Sequence, residues 1–173
     1  MIKNPLNKLI ERLYLKIPNN LAIYDQMTNL YNYNWLHRFG YKKYDNKECF
    51  ITLIDVNNFK QINDTVGHNT ANYILIFITK QLLKLKNIDP CIDVCRFGGD
   101  EFIIFSNIDT SIFFVSEDID IISYGVYHKL KNISTENAIS KADSRMYDFK
   151  KNNKVTLSSK ELHNRIQNII MSS

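Results

Sequence analysis

The run Cys49-Phe50-Ile51-Thr52-Leu53-Ile54-Asp55-Val56 constrains the fold more than any other stretch of this chain. It is almost continuously apolar and dense in β-branched and aromatic residues, the pattern of a strand buried on both faces, so it predicts the central strand of a sheet. Asn69 to Leu85 follows with apolar residues at Ile74, Ile78, Leu82 and Leu85, a helical spacing that predicts a long helix packed on that sheet. Two further strand patterns, Ile92 to Phe97 and Glu101 to Ser106, flank Gly98-Gly99-Asp100. Gly-Gly between strands is a hairpin signal, because glycine accepts the positive φ of tight hairpin turns. Ile119 to Tyr127 reads as a fourth strand, and Ser134 as the N-cap of a helix reaching about Lys151. In order, these elements make the α+β plan of a ferredoxin-like βαββαβ palm. Helices are also expected at Pro5 to Ile17, where Pro18 ends the first, at Asn34 to Tyr41 and at Glu161 to Met171.

At 173 residues with 45% hydrophobic content, the chain suits one domain with short terminal additions. No run approaches the ~20 apolar residues of a membrane-spanning helix, and the charged, interrupted N-terminus does not read as a secretory signal, so a cytoplasmic protein is expected. Three cysteines, Cys49, Cys91 and Cys95, suit neither a disulfide framework nor a zinc spacing and read as buried thiols. The net charge of +4 is dispersed and suits small phosphorylated ligands at least as well as a nucleic-acid backbone.

Asp55 ends the buried strand, and Asp100 leaves a hairpin expected to lie beside it, so two carboxylates should converge at one end of the sheet. Mg²⁺ prefers a few carboxylates plus substrate phosphates, and two such ions about 3.5–4 Å apart clamp an in-line phosphoryl displacement. Turn aspartates are also common for backbone reasons alone. Lys60, Lys150 and Lys154 offer point charges to a triphosphate, although exposed helical lysines are usually only solvated. Asn63, Asp64 and Asn72, between the strand and the long helix, are positioned to read a base edge or to cap helices.

The joint pattern resembles the GGDEF family of diguanylate cyclases from Asp25 to Val155. Asp25-x-Met27-Thr28-x-Leu30-x-Asn32 resembles the family's opening motif, and Asp55-x-Asn57-x-Phe59-Lys60-x-Ile62-Asn63-Asp64-x-x-Gly67-His68 its first-strand motif. Arg96-Phe97-Gly98-Gly99-Asp100-Glu101-Phe102 resembles the signature hairpin, and Ser123-Tyr124-Gly125 and Ala142-Asp143-x-x-Met146-Tyr147-x-x-Lys150 the closing strand and helix. The resemblance implies a homodimer in which two nucleoside triphosphates, one per facing subunit, are joined by ribose-hydroxyl attack on the partner's α-phosphate with loss of pyrophosphate. It implies that Asp55, Asp100 and the Val56 carbonyl hold two Mg²⁺ or Mn²⁺ ions, and that Glu101 assists the attacking hydroxyl or the second metal. Lys60, Lys150 and Lys154 would hold phosphates around the Gly98-Gly99 hairpin, Phe59 would support the loop, and Asn63 and Asn72 would contact the base. The expected organisation is an N-terminal helical extension over 1–24, the palm over 25–156 and a C-terminal helix over 157–173.

Several positions depart from the family. Asn72 stands where guanylate cyclases have an aspartate. Guanine offers two Watson–Crick donors to a carboxylate, whereas adenine offers one donor and one acceptor, which match an amide, so ATP is expected to be favoured. The Phe102–Ser123 connection leaves only Asp109 to Asp118 for a crossover helix. Asp89-Pro90-Cys91-Ile92 replaces the Arg-x-x-Asp product-inhibition motif. Asn57 replaces an acid, Tyr33 an arginine, and Asn153-Lys154 a Gly-Arg pair. A short palm with no sensory domain ahead of it and an altered base position looks like the minimal CRISPR polymerases, a group associated with cyclic adenylate second messengers in anti-phage defence. The competing readings are a diguanylate cyclase using GTP, a catalytically dead palm that binds nucleotide or a protein, and a template polymerase, against which the lack of thumb and finger domains speaks.

Overall fold

The computed structural model describes residues 23–116, 121–153 and 159–171. A turn leads into a two-residue strand, β1 (Tyr31–Asn32), and then α1, residues 33–44, whose middle turn Leu36–Gly40 is π-helical. The apolar run forms β2 (Cys49–Val56). After it come α2 (Phe59–Lys84), β3 (Asp93–Arg96), β4 (Glu101–Ser106), the short α3 (Ser111–Ser116), β5 (Ile122–Lys129), α4 (Thr135–Asn152) and α5 (Ser159–Met171).

The strands form one sheet in the order β1-β3-β4-β2-β5. β2 pairs antiparallel with β4 and β5, β3 pairs antiparallel with β4, and β1 adds in parallel to β3. Apart from that added edge, this is the expected ferredoxin-like arrangement with the apolar strand inside. Alternation along β2 sends Cys49, Ile51 and Leu53 to one face and Ile54 and Val56 to the other. The first face is covered by α1 and α4 through Trp35, Leu36, Tyr44, Ala138, Ala142 and Met146. The second is covered by α2, α3 and α5, which contribute Ile74, Ile78, Leu82, Phe114 and Ile166. By the same alternation Asp55 and Glu101 face the α4 side, one step beyond Leu53 and Ile103.

α4 lies unusually close to the sheet. Its N-cap is the expected one, Ser134 accepting from the Asn137 N–H at 3.2 Å. Ala138 and Ala142 are fully buried beneath it, and a Cβ at Gly125 of β5 would run into the helix backbone at Ala142, Arg145 and Met146. Two small helix residues and one strand glycine thus let the helix axis sink toward β5, which fixes where its last turn emerges.

The structure corrects several expectations. α2 begins at Phe59, not Asn69: Asn58 turns the chain out of β2 in the left-handed conformation (φ 56), and the Ile62 N–H reaches its carbonyl at 2.9 Å. Gly67, at φ 79 and ψ 158, then breaks the helix in a region open essentially to glycine alone. Asn63 and Asp64 therefore ride on a helical segment and not on a loop. α1 runs to Tyr44, past the expected Tyr41; β3 is shorter than expected, and β5 ends at Lys129. Lys129 is fully buried and donates to the Asp45 and Lys47 carbonyls at 2.8 and 2.9 Å, so its charge closes the end of α1 and extends the strand. Cys49 and Cys95 are buried, but Cys91 is exposed in the turn before β3. The Pro5–Ile17 helix and Lys154 lie outside the described residues. Among the described residues no helix is long and apolar enough to cross a membrane.

Gly125→Ala should lower the unfolding free energy by about 1–3 kcal/mol, because the new methyl meets backbone that has no rotamer to yield. Gly99→Ala, where a Cβ meets nothing within 4 Å, should stay within about 0.5 kcal/mol of the parent. Urea unfolding midpoints of the two variants check the contrast.

Candidate active site

The site is built at the end of β2. Asp55 is its penultimate residue, and the β2–β4 register sets it directly opposite Glu101. Asp100 immediately precedes Glu101, and its carbonyl accepts the Val56 N–H at 3.2 Å, which stitches the β3–β4 turn onto β2. The two carboxylates expected to converge, Asp55 and Asp100, thus lie at the same end of the sheet, with Glu101 beside them. Lys150, in the last turn of α4, comes over the same rim and donates to Asp55 Oδ1 at 2.5 Å.

The turn is held from behind. Phe97 N–H reaches the Glu101 carbonyl at 3.1 Å, and the Arg96 guanidinium donates twice to the Gly99 carbonyl, at 3.1 and 2.6 Å. The third Arg96 contact, Nη1 to Asp25 Oδ1 at 3.0 Å, ties the turn to the opening motif. There Asp25 also accepts from the Thr28 N–H and hydroxyl, at 2.8 and 2.6 Å. Burial pushes the Asp25 carboxyl up, but the Thr28 hydrogen bonds and Arg96 outweigh it and hold it below the ordinary value. The expected positive φ at Gly98 and Gly99 is absent; of the described glycines, Gly67 has one. The turn spans more residues than a two-residue hairpin and does not need the mirror-image geometry. At Gly98 the missing Cβ matters differently, since one there would push the tip of the Glu101 carboxylate out of its position.

The electrostatics follow from crowding. Burial, then the charge of Asp55, push the Asp100 carboxyl above its ordinary value. Burial and the neighbouring Asp100, Asp55 and Asp143 do the same to Glu101, with Lys150 opposing. A pocket of about 400 Å³ opens beside the cluster, lined by Asp55, Asp143, Tyr147, Asp148 and Lys150. Asp143 and Tyr147 were missed by the sequence reading as site residues. The signal was present, since Asp143, Tyr147 and Lys150 recur at helical spacing and Tyr147 is exposed despite its size.

The remaining expected site residues lie apart from this pocket. Phe59 packs partly buried against the α2 side of the core, and Lys60 is exposed in the first turn of α2. Asn63 Oδ1 lies 3.0 Å from His68 Nδ1 across the Gly67 break, and Asn72 is exposed beyond it. Asn57 accepts from the Ser123 hydroxyl at 2.6 Å and donates its N–H to the Ile121 carbonyl at 2.8 Å, tying the end of β2 to the start of β5.

Among the described residues no three His, Cys, Asp or Glu side chains converge tightly enough to hold a metal ion by themselves. The donor set nevertheless suits a hard divalent cation, with Asp55 close enough to raise the proton affinity of both Asp100 and Glu101. Such an ion keeps one or two carboxylates and takes its other oxygens from water or phosphate.

Sheet order, acidic rim and facing lysine define a palm-type domain. The chain matches the family described as "Diguanylate cyclase, GGDEF domain" over residues 22–115, more than half its length, and it belongs to the GGDEF family. It is 34% identical over 114 residues to the diguanylate cyclase DgcP of Escherichia coli (strain K12), covering 65% of this chain and 30% of that protein. It is 31% identical over 111 residues to the diguanylate cyclase DosC of Shigella sonnei, covering 60% and 24%. The chain spans less than a third of the length of these curated relatives. The crystal structure of the coiled coil and GGDEF domain of DgcB from Caulobacter crescentus, in complex with c-di-GMP, superposes with a TM-score of 0.67 at 20% identity, over 89% of this chain and 94% of that one. LapD of Vibrio cholerae superposes with a TM-score of 0.68 at 19% identity, over 88% and 39%.

A carboxyl with a raised folded-state pKa favours the folded state at low pH, and that contribution is lost as pH rises through the raised value. At neutral pH ionised Asp100 is therefore a cost to the fold. Asp100→Asn should stabilise the chain at pH 7, seen as a higher urea midpoint. The gain should vanish near pH 3, where Asp100 is protonated in both states. Urea midpoints at the two pH values measure it, and an equal gain at both would rule out charge as the cause.

Proposed function

We propose that the chain is a metal-dependent nucleotidyltransferase that joins two nucleoside triphosphates into a cyclic dinucleotide, releasing pyrophosphate. The observation that carries this reading is the Asp55–Asp100–Glu101 cluster at the end of the central strand, with Lys150 facing it. Phosphoryl transfer asks a protein mainly for positioning and charge neutralisation. In this reading Asp55 and Asp100, with the Val56 carbonyl, would hold Mg²⁺ or Mn²⁺, two ions per site. The ions would neutralise charge on the transferring phosphoryl group. Glu101, its proton affinity raised by burial and its acidic neighbours, is suited to draw the proton from the attacking ribose hydroxyl. Lys60, Lys150 and Lys154 neutralise the triphosphate, Gly98 and Gly99 leave room for it, and Phe59 anchors the start of α2. Residues 25–156 are the catalytic unit. The family resemblance supports a homodimer in which two such rims face each other, each bringing one nucleotide.

Asn63 and Asn72 are assigned to the base. The Asn72 amide offers the donor and acceptor that adenine presents, which supports ATP as the favoured substrate. With the short connection between β4 and β5, it also supports placement among the minimal CRISPR polymerases, with a cyclic di-adenylate as product in anti-phage defence. The second reading, cyclic di-GMP from GTP, is supported by the names of the relatives, which are diguanylate cyclases.

With Mg²⁺ or Mn²⁺ and equimolar ATP and GTP, mass spectrometry should find mainly cyclic di-adenylate, and product should disappear in Asp55→Ala and Asp100→Ala. Asn72→Asp should move the kcat/KM ratio toward GTP by roughly one to two decades, the ~1–3 kcal/mol of a mismatched buried polar pair. Turnover of GTP alone by the parent chain would overturn the adenine assignment and leave the reaction class standing.

A further inference from the structure

Lys150 is assigned above to phosphate, yet its ammonium sits on Asp55 Oδ1, at 2.5 Å. The two partners differ in freedom. The Asp55 side chain is 16% exposed and fixed by the pairing of β2 on both sides, whereas Lys150 is 45% exposed on a long stem two residues from the end of α4. Lys150 is therefore the partner that can leave. A divalent cation approaching Asp55 meets a positive charge already on the oxygen it needs. No other described acid completes a three-ligand cage that would compensate. The displaced ammonium requires a new anion close by, and a triphosphate bound at the same rim supplies one.

We propose that Lys150 is a removable counter-ion of Asp55 that makes metal occupancy conditional on nucleotide. This inference rests on the reading of Asp55 as a metal ligand. With the ammonium on Asp55, a lone Mg²⁺ or Mn²⁺ binds more weakly, because it meets a like charge on the oxygen it needs. When a nucleotide enters, Lys150 moves to its phosphates and frees the carboxylate, so metal and nucleotide each tighten the other's binding, as linkage requires. The same side chain thereby serves two anions in turn, and the acidic rim is kept from collecting idle metal.

The test is a Mn²⁺ titration of the whole chain read by electron paramagnetic resonance of free Mn²⁺. It is run without nucleotide, with 2′,3′-dideoxy-ATP and with 2′,3′-dideoxy-GTP, neither of which has a ribose hydroxyl to react, against protein-free nucleotide blanks. Without nucleotide, Lys150→Met should bind Mn²⁺ about three- to tenfold tighter than the parent chain, as expected for removing one charge beside a divalent ion at a partly exposed site. Lys150→Arg, which keeps the charge, should stay within about twofold of the parent. Bound nucleotide should enhance Mn²⁺ binding less in Lys150→Met than in the parent. Equal or weaker Mn²⁺ binding by Lys150→Met, or equal tightening by Lys150→Arg, overturns the proposal; Lys150→Gln repeats the measurement if the Met variant does not fold by circular dichroism. Asp55→Asn separates the two levels. Unchanged Mn²⁺ binding there defeats the metal-ligand reading itself, while its loss alongside an unchanged Lys150→Met defeats the counter-ion alone.

Discussion

The pairing of β2 with β4 sets Asp55 against Glu101, two like charges facing each other across a strand pair, where facing charges ordinarily disfavour a sheet. The arrangement persists because apolar residues hold the register: Ile51 and Leu53 lie opposite Phe105 and Ile103, all four buried. Slipping by one residue would turn that whole set to the other face. Core burial thus enforces a local repulsion at the rim, and the rim's chemistry is a product of that enforcement. Lys150 and Arg96 relieve part of it from two sides, one on Asp55 and one through the backbone of the turn.

Lys150 reaches the rim because of events one layer away. Gly125, Ala138 and Ala142 let α4 settle against β5, and Ser134 fixes where the helix starts, so its last turn is delivered above Asp55. Asn57 and Ser123 tie the exit of β2 to the start of β5 and keep strand end and helix end in one frame. In the family an acid is expected at position 57. Here the amide is a structural tether, and the acids that crowd the strand end are Asp55, Asp100 and Glu101 with Asp143 close by on α4, so the charge balance leans on Lys150.

The parts legible in the sequence were those governed by period and by local capping. The β2 run, the strand–turn–strand around Gly98-Gly99 and the Ser134 cap each follow from residue types a few positions apart, and the sheet order follows from them by short connections. The parts misread depended on what lay across the fold. Gly98 was taken for a turn-conformation glycine, but its missing Cβ makes room for the Glu101 side chain. The early start of α2 was hidden because Gly67 and His68 interrupt the helical pattern, and a break in one helix resembles a loop before another. Lys129 lies two residues past the expected strand end at Tyr127, yet it continues the strand because carbonyls at the end of α1, some eighty residues earlier, take its charge. Asp143 and Tyr147 were visible as a helical stripe beside Lys150, but which stripe faces the acids depends on the packing angle of α4, which no single-chain pattern encodes.

The residues proposed for phosphate and those proposed for the base hang on different parts of the fold. The acids and Lys150 are fixed by strand register and by the contact of α4 with β5, whereas Asn63 and Asn72 sit on α2, on either side of the Gly67 break. Asn72 is exposed, and its replacement disturbs neither the core nor the rim. A domain built this way can vary at exposed positions of α2 without disturbing the acidic rim. The chain can therefore be 34% identical to a protein named as a diguanylate cyclase, differ from the family at position 72, and still keep Asp55, Asp100 and Glu101 together, because the two regions are fixed by different contacts.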